Sequence, residues 1–226
     1  MQGSMSIAEN IRKLKEEVPA HVIIVAVSKR KPIVDIMQAY EAGHRVFGEN
    51  RVQELIEKQP LLPRDIQWHM IGHLQTNKVK YITGFVEMIH SVDSLKLARV
   101  IDQEAARHER VIPVLLQVHI ADEESKFGFT EAALDDLLAS TELLAFRNIR
   151  IEGLMGMATY TDDLAKVRAE FRHLREIFHR VKNAYFAGSD HFRQISMGMS
   201  GDYGIAIEEG STIIRVGTVI FGARTY

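Results

Sequence analysis

Short apolar runs alternate with helix-like stretches from end to end, and no other feature of these 226 residues restricts the fold as much. Strand-like runs fall at 22–28, 45–48, 66–71, 85–90, 112–119, 149–156, 193–197 and 212–216. Helical stretches follow at 33–42, 50–58, 75–81, 94–108, 130–141, 161–182 and 200–208, and an extra amphipathic helix over 5–17 precedes the first strand. Pro32 stands at a helix start, where its missing N–H costs nothing. Asp93 is placed to cap the helix that follows it. Eight strands, each followed by a helix or the start of one, predict an α/β fold of the single (β/α)8, TIM-type barrel kind; an open doubly wound sheet is the alternative. No Gly/Ser/Pro-rich linker interrupts the pattern, so one domain is expected over 1–226.

Composition removes several function classes. A net charge of −2 gives no basic field for nucleic acid or an anionic membrane. The absence of cysteine excludes disulfides, thiolate metal sites and a cysteine nucleophile. No apolar run approaches the roughly 20 residues of a membrane span, and the N-terminus lacks the apolar centre of a signal peptide. A cytoplasmic, monomeric protein without nucleic-acid or membrane partners is expected.

In an eight-stranded α/β barrel the chemistry lies at the C-terminal ends of the strands. The first strand, VIIVAVSK, ends on Lys29. The second ends in GEN, with Glu49 and Asn50, and the third delivers His69, His73, Gln75 and Asn77. The seventh ends in SMGMSGD, from Ser196 to Asp202, and the eighth in RVGT, from Arg215 to Thr218. Barrels often hold phosphate in the loops after strands 7 and 8. Glycines there let backbone N–H groups approach an anion, and a helix start favours negative charge. Ser200 and Thr218 add hydroxyls beside Gly217. Taken singly, Ser200 and Asp202 read as helix caps and Gly217 as a turn. Together, at both expected positions, they favour phosphate.

Closure of the barrel sets strand 8 beside strand 1, and so Arg215 beside the strand of Lys29. A lysine, an arginine and a phosphate cradle at one mouth suit pyridoxal 5′-phosphate. The amine can form an imine with the aldehyde, and the arginine can face the pyridine nitrogen. A lone strand-end lysine more often is solvated or salt-bridged; the other residues decide the reading here.

The segments VSKRKP, VFGENRVQE, WHMIGHLQTNK, ESKFG, EGLMGM and SMGMSGDYGIAIEEGSTIIRVGTVIFG resemble the pyridoxal-phosphate homeostasis protein family, single-domain relatives of the alanine racemase barrel. The resemblance spans essentially the whole chain. It implies Lys29 as the imine lysine, Asn50 near the cofactor, Arg215 at the ring nitrogen, and Ser200, Gly217 and Thr218, with Ser196, at the phosphate. Arg30 departs from the family, which usually has threonine there. It faces away from Lys29 if the strand alternation continues.

Other residues have plainer readings. His69 and His73 straddle a strand end and a loop, and catalytic zinc usually has three protein ligands, so hydrogen bonding is the stronger reading. Met155, Met157, Met197 and Met199 pack the barrel top or rim the site. Glu49 is a candidate acid–base carboxylate, Asn50 an equally natural helix cap, Lys126 a cation of the mouth or of a loop, and Trp68 a core residue. The charges of FRHLREIFHRVK mark the solvated face of a long helix.

Two functions share this pocket. One is a protein of vitamin B6 homeostasis that holds the cofactor and passes it to apoenzymes without turnover. The other is a racemase or related enzyme. The racemase relatives carry a second domain with a catalytic tyrosine, and none is expected here, which favours the first. A barrel for some other phosphorylated metabolite is a third reading. Arg215 stays protonated and disfavours protonation of a neighbouring ring nitrogen. The ring is then a weaker electron sink, which argues against aminotransferase chemistry but not against racemisation.

Overall fold

The structure is a computed structural model describing residues 6–123 and 127–222. Eight strands, β1 (Ile23–Val27), β2 (Val46–Glu49), β3 (Gln67–Met70), β4 (Met88–Val92), β5 (Ile112–Gln117), β6 (Ile149–Met155), β7 (Gln194–Met199) and β8 (Ile213–Val216), close into a barrel in sequence order. All pairings are parallel, including the closing one, in which Ile23 lies opposite Ile213 and Val25 opposite Arg215. The expected α/β barrel is therefore the observed one.

Helices α1 (Ile7–Glu17), α2 (Ile33–Glu41), α3 (Val52–Lys58), α4 (Leu95–Arg107), α5 (Glu131–Ala139), α6 (Leu164–Tyr185), α7 (Tyr203–Glu208) and α8 (Thr218–Phe221) accompany the strands. The extra first helix opens with a reciprocal cap: Ser6 accepts from the Glu9 N–H and Glu9 accepts from the Ser6 N–H. In α6, Val167, Phe171, Leu174, Phe178 and Val181 recur at helical spacing and are buried, leaving the charged side to solvent. No helix of the described residues is long and apolar enough to cross a membrane.

The parity of each strand divides the core in two. One set of residues packs outward under the helices, with Phe47 and Trp68 in a tilted pair 6.0 Å apart. The other fills the barrel: Val25, Ile71, Met88, Leu115, Met155 and Ile213 form one cluster. A Cβ on Gly48 would stand 2.6 Å from Val25 Cγ1, so that layer closes only over a glycine. The barrel is thus a packed core.

Several boundaries differ from the expected ones for identifiable reasons. Ser94, not Asp93, caps α4, its Oγ accepting from the Leu97 N–H at 3.0 Å, while Asp93 turns to His73. Asn50 is not the cap of α3, which starts after Arg51 without a side-chain cap. The stretch 75–81 is a 3-10 helix, Thr76–Tyr81. The fourth strand starts at Met88 because Phe85 and Val86 donate back to the Ile82 carbonyl in a turn. Strand alternation does not continue to Arg30. The strand ends at Val27, and Arg30 is an exposed turn residue with φ of 60°. Lys126 lies outside the described residues.

Candidate functional site

Lys29 sits two residues beyond β1, half-buried, in a turn closed by the Lys31 N–H donating to the Ser28 carbonyl at 3.0 Å. Its backbone is held on both sides. Lys58 Nζ donates to the Ser28 carbonyl at 2.8 Å, and the Arg30 N–H donates to Glu54 Oε2 at 2.7 Å. Lys58 also bonds Glu49 Oε1 and Glu54 Oε2, at 2.7 and 2.8 Å. Ser28 Oγ donates to the same Glu49 oxygen at 2.7 Å. Glu49 is therefore bonded to α3 and to the base of the Lys29 turn. Burial raises its pKa to about 7, outweighing the opposing pull of Lys58.

Arg215 is buried on β8. Its Nη1 donates to Ser196 Oγ at 2.5 Å and its Nη2 to the Gly156 carbonyl at 3.2 Å. Burial lowers its pKa to about 10, against the attraction of Asp202, so it remains a cation at neutral pH. Ser196 is wholly buried and its Oγ lies 2.8 Å from His90 Nδ1. His90 Nε2 in turn lies 2.8 Å from His69 Nδ1.

The loops after β7 and β8 meet. The Gly217 N–H donates to Ser200 Oγ at 3.1 Å. A Cβ on Gly217 would come within 3.2 Å of the Val27 carbonyl, so this loop lies against the end of β1, two residues before Lys29. Thr218 is exposed and Gly201 faces open space. Asp202 does not cap α7 by its side chain; its Oδ1 accepts from the Met199 N–H at 2.6 Å and tightens the loop. Gly198, with φ of +101°, makes the bend, where a Cβ would meet Ala206 Cβ at 2.7 Å.

Asn50 follows β2, and its Oδ1 is a buried oxygen without a partner. An unmatched acceptor of this kind suits a ligand that brings a donor. It borders a cavity of about 480 Å³ shared with Arg51, His73, Gln75, Lys78 and Tyr81. His69 and His73 point to different surroundings: the first is buried and bonded to His90, the second stacks on Phe127 at 3.9 Å and pairs with Asp93. Trp68 and Met155 are core residues, and Met157 and Met199 are exposed. Sequence reasoning missed His90 and Lys58. His90 shares its parity with the inward Met88, and a polar residue at that phase of an apolar strand was the available signal. Lys58 gave none, because a lysine ending a short helix reads as solvated.

A closed parallel barrel with a strand-end lysine, a buried arginine on the adjoining strand and a Ser/Gly/Thr loop pair defines a class, that of the alanine racemase barrels. Residues 4–225 match the family described as alanine racemase, N-terminal domain, and the chain belongs to it. Within that class it belongs to the pyridoxal phosphate homeostasis proteins. It is 42% identical over 204 residues to the Aquifex aeolicus protein of that name, covering 90% of this chain and 87% of that one. The Escherichia coli K12 protein is 34% identical over 234 residues, with 97% of each covered. Among solved structures, PipY of Synechococcus elongatus with PLP bound superimposes with a TM-score of 0.87 at 37% identity, covering 96% of this chain and all of that one (100%). Alanine racemase from Bartonella henselae, at 15% identity and a TM-score of 0.71, shares the fold over 58% of its length.

Proposed function

We propose that this protein binds pyridoxal 5′-phosphate at the barrel mouth, keeps the reactive aldehyde sequestered and releases it to apoenzymes that need it. One observation carries the reading: strand β8 closes on β1, so Arg215 and the Ser200–Gly217 loop contact adjoin the strand that leads into the Lys29 turn. Family membership and the PLP-bound PipY structure support the same cofactor. The residues fit it. The glycine backbone at Gly201 and Gly217, hydroxyls at Ser200 and Thr218 and the bend at Gly198 suit a phosphate, and the unmatched Asn50 oxygen suits a donor near the ring.

When bound, the cofactor supplies an electrophilic aldehyde. Lys29 supplies the amine for it, from a turn braced by Lys58 and Glu54. Arg215 holds a positive charge for the pyridine nitrogen and keeps that nitrogen unprotonated by repulsion. Ser200, Gly217 and Thr218 hold the phosphate. Ser196, bonded to Arg215, acts through it.

Borohydride reduction of the cofactor-loaded protein, followed by peptide mapping, tests this. The label is expected on the peptide containing Lys29, and Lys29→Ala is expected to lose both label and visible absorption band. A label on another lysine, or an unchanged band in the variant, overturns the assignment.

A further inference from the structure

Inside the barrel, a row of four polar side chains runs from β8 through β7 and β4 to β3: Arg215, Ser196, His90 and His69. Strands β4 and β7 are not neighbours in the wall, so the His90–Ser196 bond crosses the interior. All four residues are buried. The family resemblance gives tasks to Arg215 and Ser196 and none to the histidines.

The chemistry of each group fixes the direction of the row. Arginine only donates. Ser196 Oγ therefore accepts from Arg215 Nη1. Its own hydrogen, in a fully buried residue, has His90 Nδ1 as its partner at 2.8 Å. If His90 instead donated from Nδ1, the buried hydroxyl hydrogen would be stranded without an acceptor. His90 then carries its hydrogen on Nε2 and donates to His69 Nδ1, and His69 carries its hydrogen on Nε2 as well. Every bond runs one way, away from the guanidinium. Protonating either ring would place two N–H groups nose to nose or turn the serine hydroxyl away. Burial already opposes such a charge: the His69 pKa is lowered to about 3, and His90 lies well below the usual range, with His69 and Arg215 adding to the effect of burial. Asp202 is the carboxylate that acts on Arg215.

We propose that His90, acting through Ser196 and backed by His69, is a positioning residue for Arg215, and that this one-way row fixes where the guanidinium stands at the base of the cofactor site. Through Ser196 and the Gly156 carbonyl, two of the arginine's nitrogens are committed before any ligand arrives. The ring-nitrogen side of the site is thereby set in advance. The part of this inference that concerns the cofactor rests on the proposed function; the direction of the row does not.

The test has two arms. Nitrogen-15 histidine NMR of the cofactor-free protein reads the tautomers directly. Two non-titrating rings, both hydrogen on Nε2 across roughly pH 5.5–8.5, are expected, and both are expected to be perturbed in Ser196→Ala. An Nδ1–H tautomer at His90, or titration of either ring in that window, overturns the row. In the second arm, the visible band of the loaded protein is followed with pH in His90→Leu and His90→Gln. The leucine variant is expected to shift the band or its pH profile, and glutamine, which keeps an acceptor for Ser196, to restore it. An unchanged profile in a His90→Leu protein with cooperative thermal unfolding overturns the positioning role. Absence of any band in the wild type would refute the cofactor reading instead, and the NMR arm would still decide the row.

Discussion

A carboxylate with one partnered and one unpartnered oxygen, wholly inside the protein, is a residue whose protonation matters. Glu49 has Ser28 and Lys58 on Oε1 and nothing on the buried Oε2. Its folded pKa is raised to about 7 from 4.5, so the folded state prefers the protonated form. The stabilisation is full below the unfolded value, falls as pH rises and levels off above about 7. At about 1.4 kcal/mol per unit, the swing is about 3 kcal/mol. The wild type is therefore expected to lose stability relative to Glu49→Gln between pH 5 and 7.5 in urea unfolding. A constant offset would show that Glu49 is ionised throughout. At the mouth, Ser200→Ala and Thr218→Ala are each expected to weaken pyridoxal 5′-phosphate binding by about 1–3 kcal/mol while leaving unphosphorylated pyridoxal nearly unaffected. Equal losses for both ligands would assign these hydroxyls to the loop, where Ser200 already accepts from Gly217. Lys29 and Arg215 stood out in the sequence because a charged residue at the end of an apolar run has few uses. Glu49 did not reveal its side of the wall: its outward parity, toward α3, emerges only with the pairing of β2 to β3.

At the scale of elements, the strands were legible because buried parallel strands are apolar throughout, and the helix starts were less so. Asp93 and Ser94 are both cap-type residues, and sequence alone favoured the wrong one. The extended backbone of Ser94, at φ −155° and ψ 154°, presents its hydroxyl to the Leu97 N–H. Ser94→Ala is accordingly expected to lower unfolding stability by about 1 kcal/mol. Asp93→Ala loses only a 3.4 Å pairing with a partly exposed His73 and is expected to cost less. The reverse ranking by denaturant titration would mean that the loop contact outweighs the cap. The 75–81 stretch reads as an ordinary helix in the sequence because the six residues Thr76–Tyr81 complete too few turns to separate a period of 3.0 from 3.6. The kink in β6 was hidden too: Gly153 sits at φ +155°, opposite a register shift between Val114 and Leu115, and a Cβ there would lie 1.7 Å from the Gln194 carbonyl.

For the molecule as a whole, the decisive strand pairing is the one longest in sequence, β1 on β8, and an eight-fold count anticipated it where no local pattern did. The same closure sets Arg215 beside the strand that precedes Lys29, so that juxtaposition was legible from the strand count; the interior row of His69, His90 and Ser196 was not, because it depends on strands that do not touch. What the assembled site can catalyse is a separate matter from what it can bind. Racemisation requires two acid–base groups on opposite faces of the α-carbon, each within hydrogen-bond reach of the proton it moves. Lys29 can serve one face. Tyr160 and Tyr203, the tyrosines that follow strand ends, are poor candidates for the other. Tyr160 is 93% exposed, and the Tyr203 hydroxyl donates to Glu17 on α1 at 3.1 Å. The cofactor-loaded protein is therefore expected to leave L-alanine and other L-amino acids unracemised when chirality is followed by chromatography. Turnover in the ordinary enzymatic range of roughly 1–10³ per second, abolished by Lys29→Ala, would replace the homeostasis reading with an enzymatic one, and would require a proton donor on the far face that the described tyrosines do not provide.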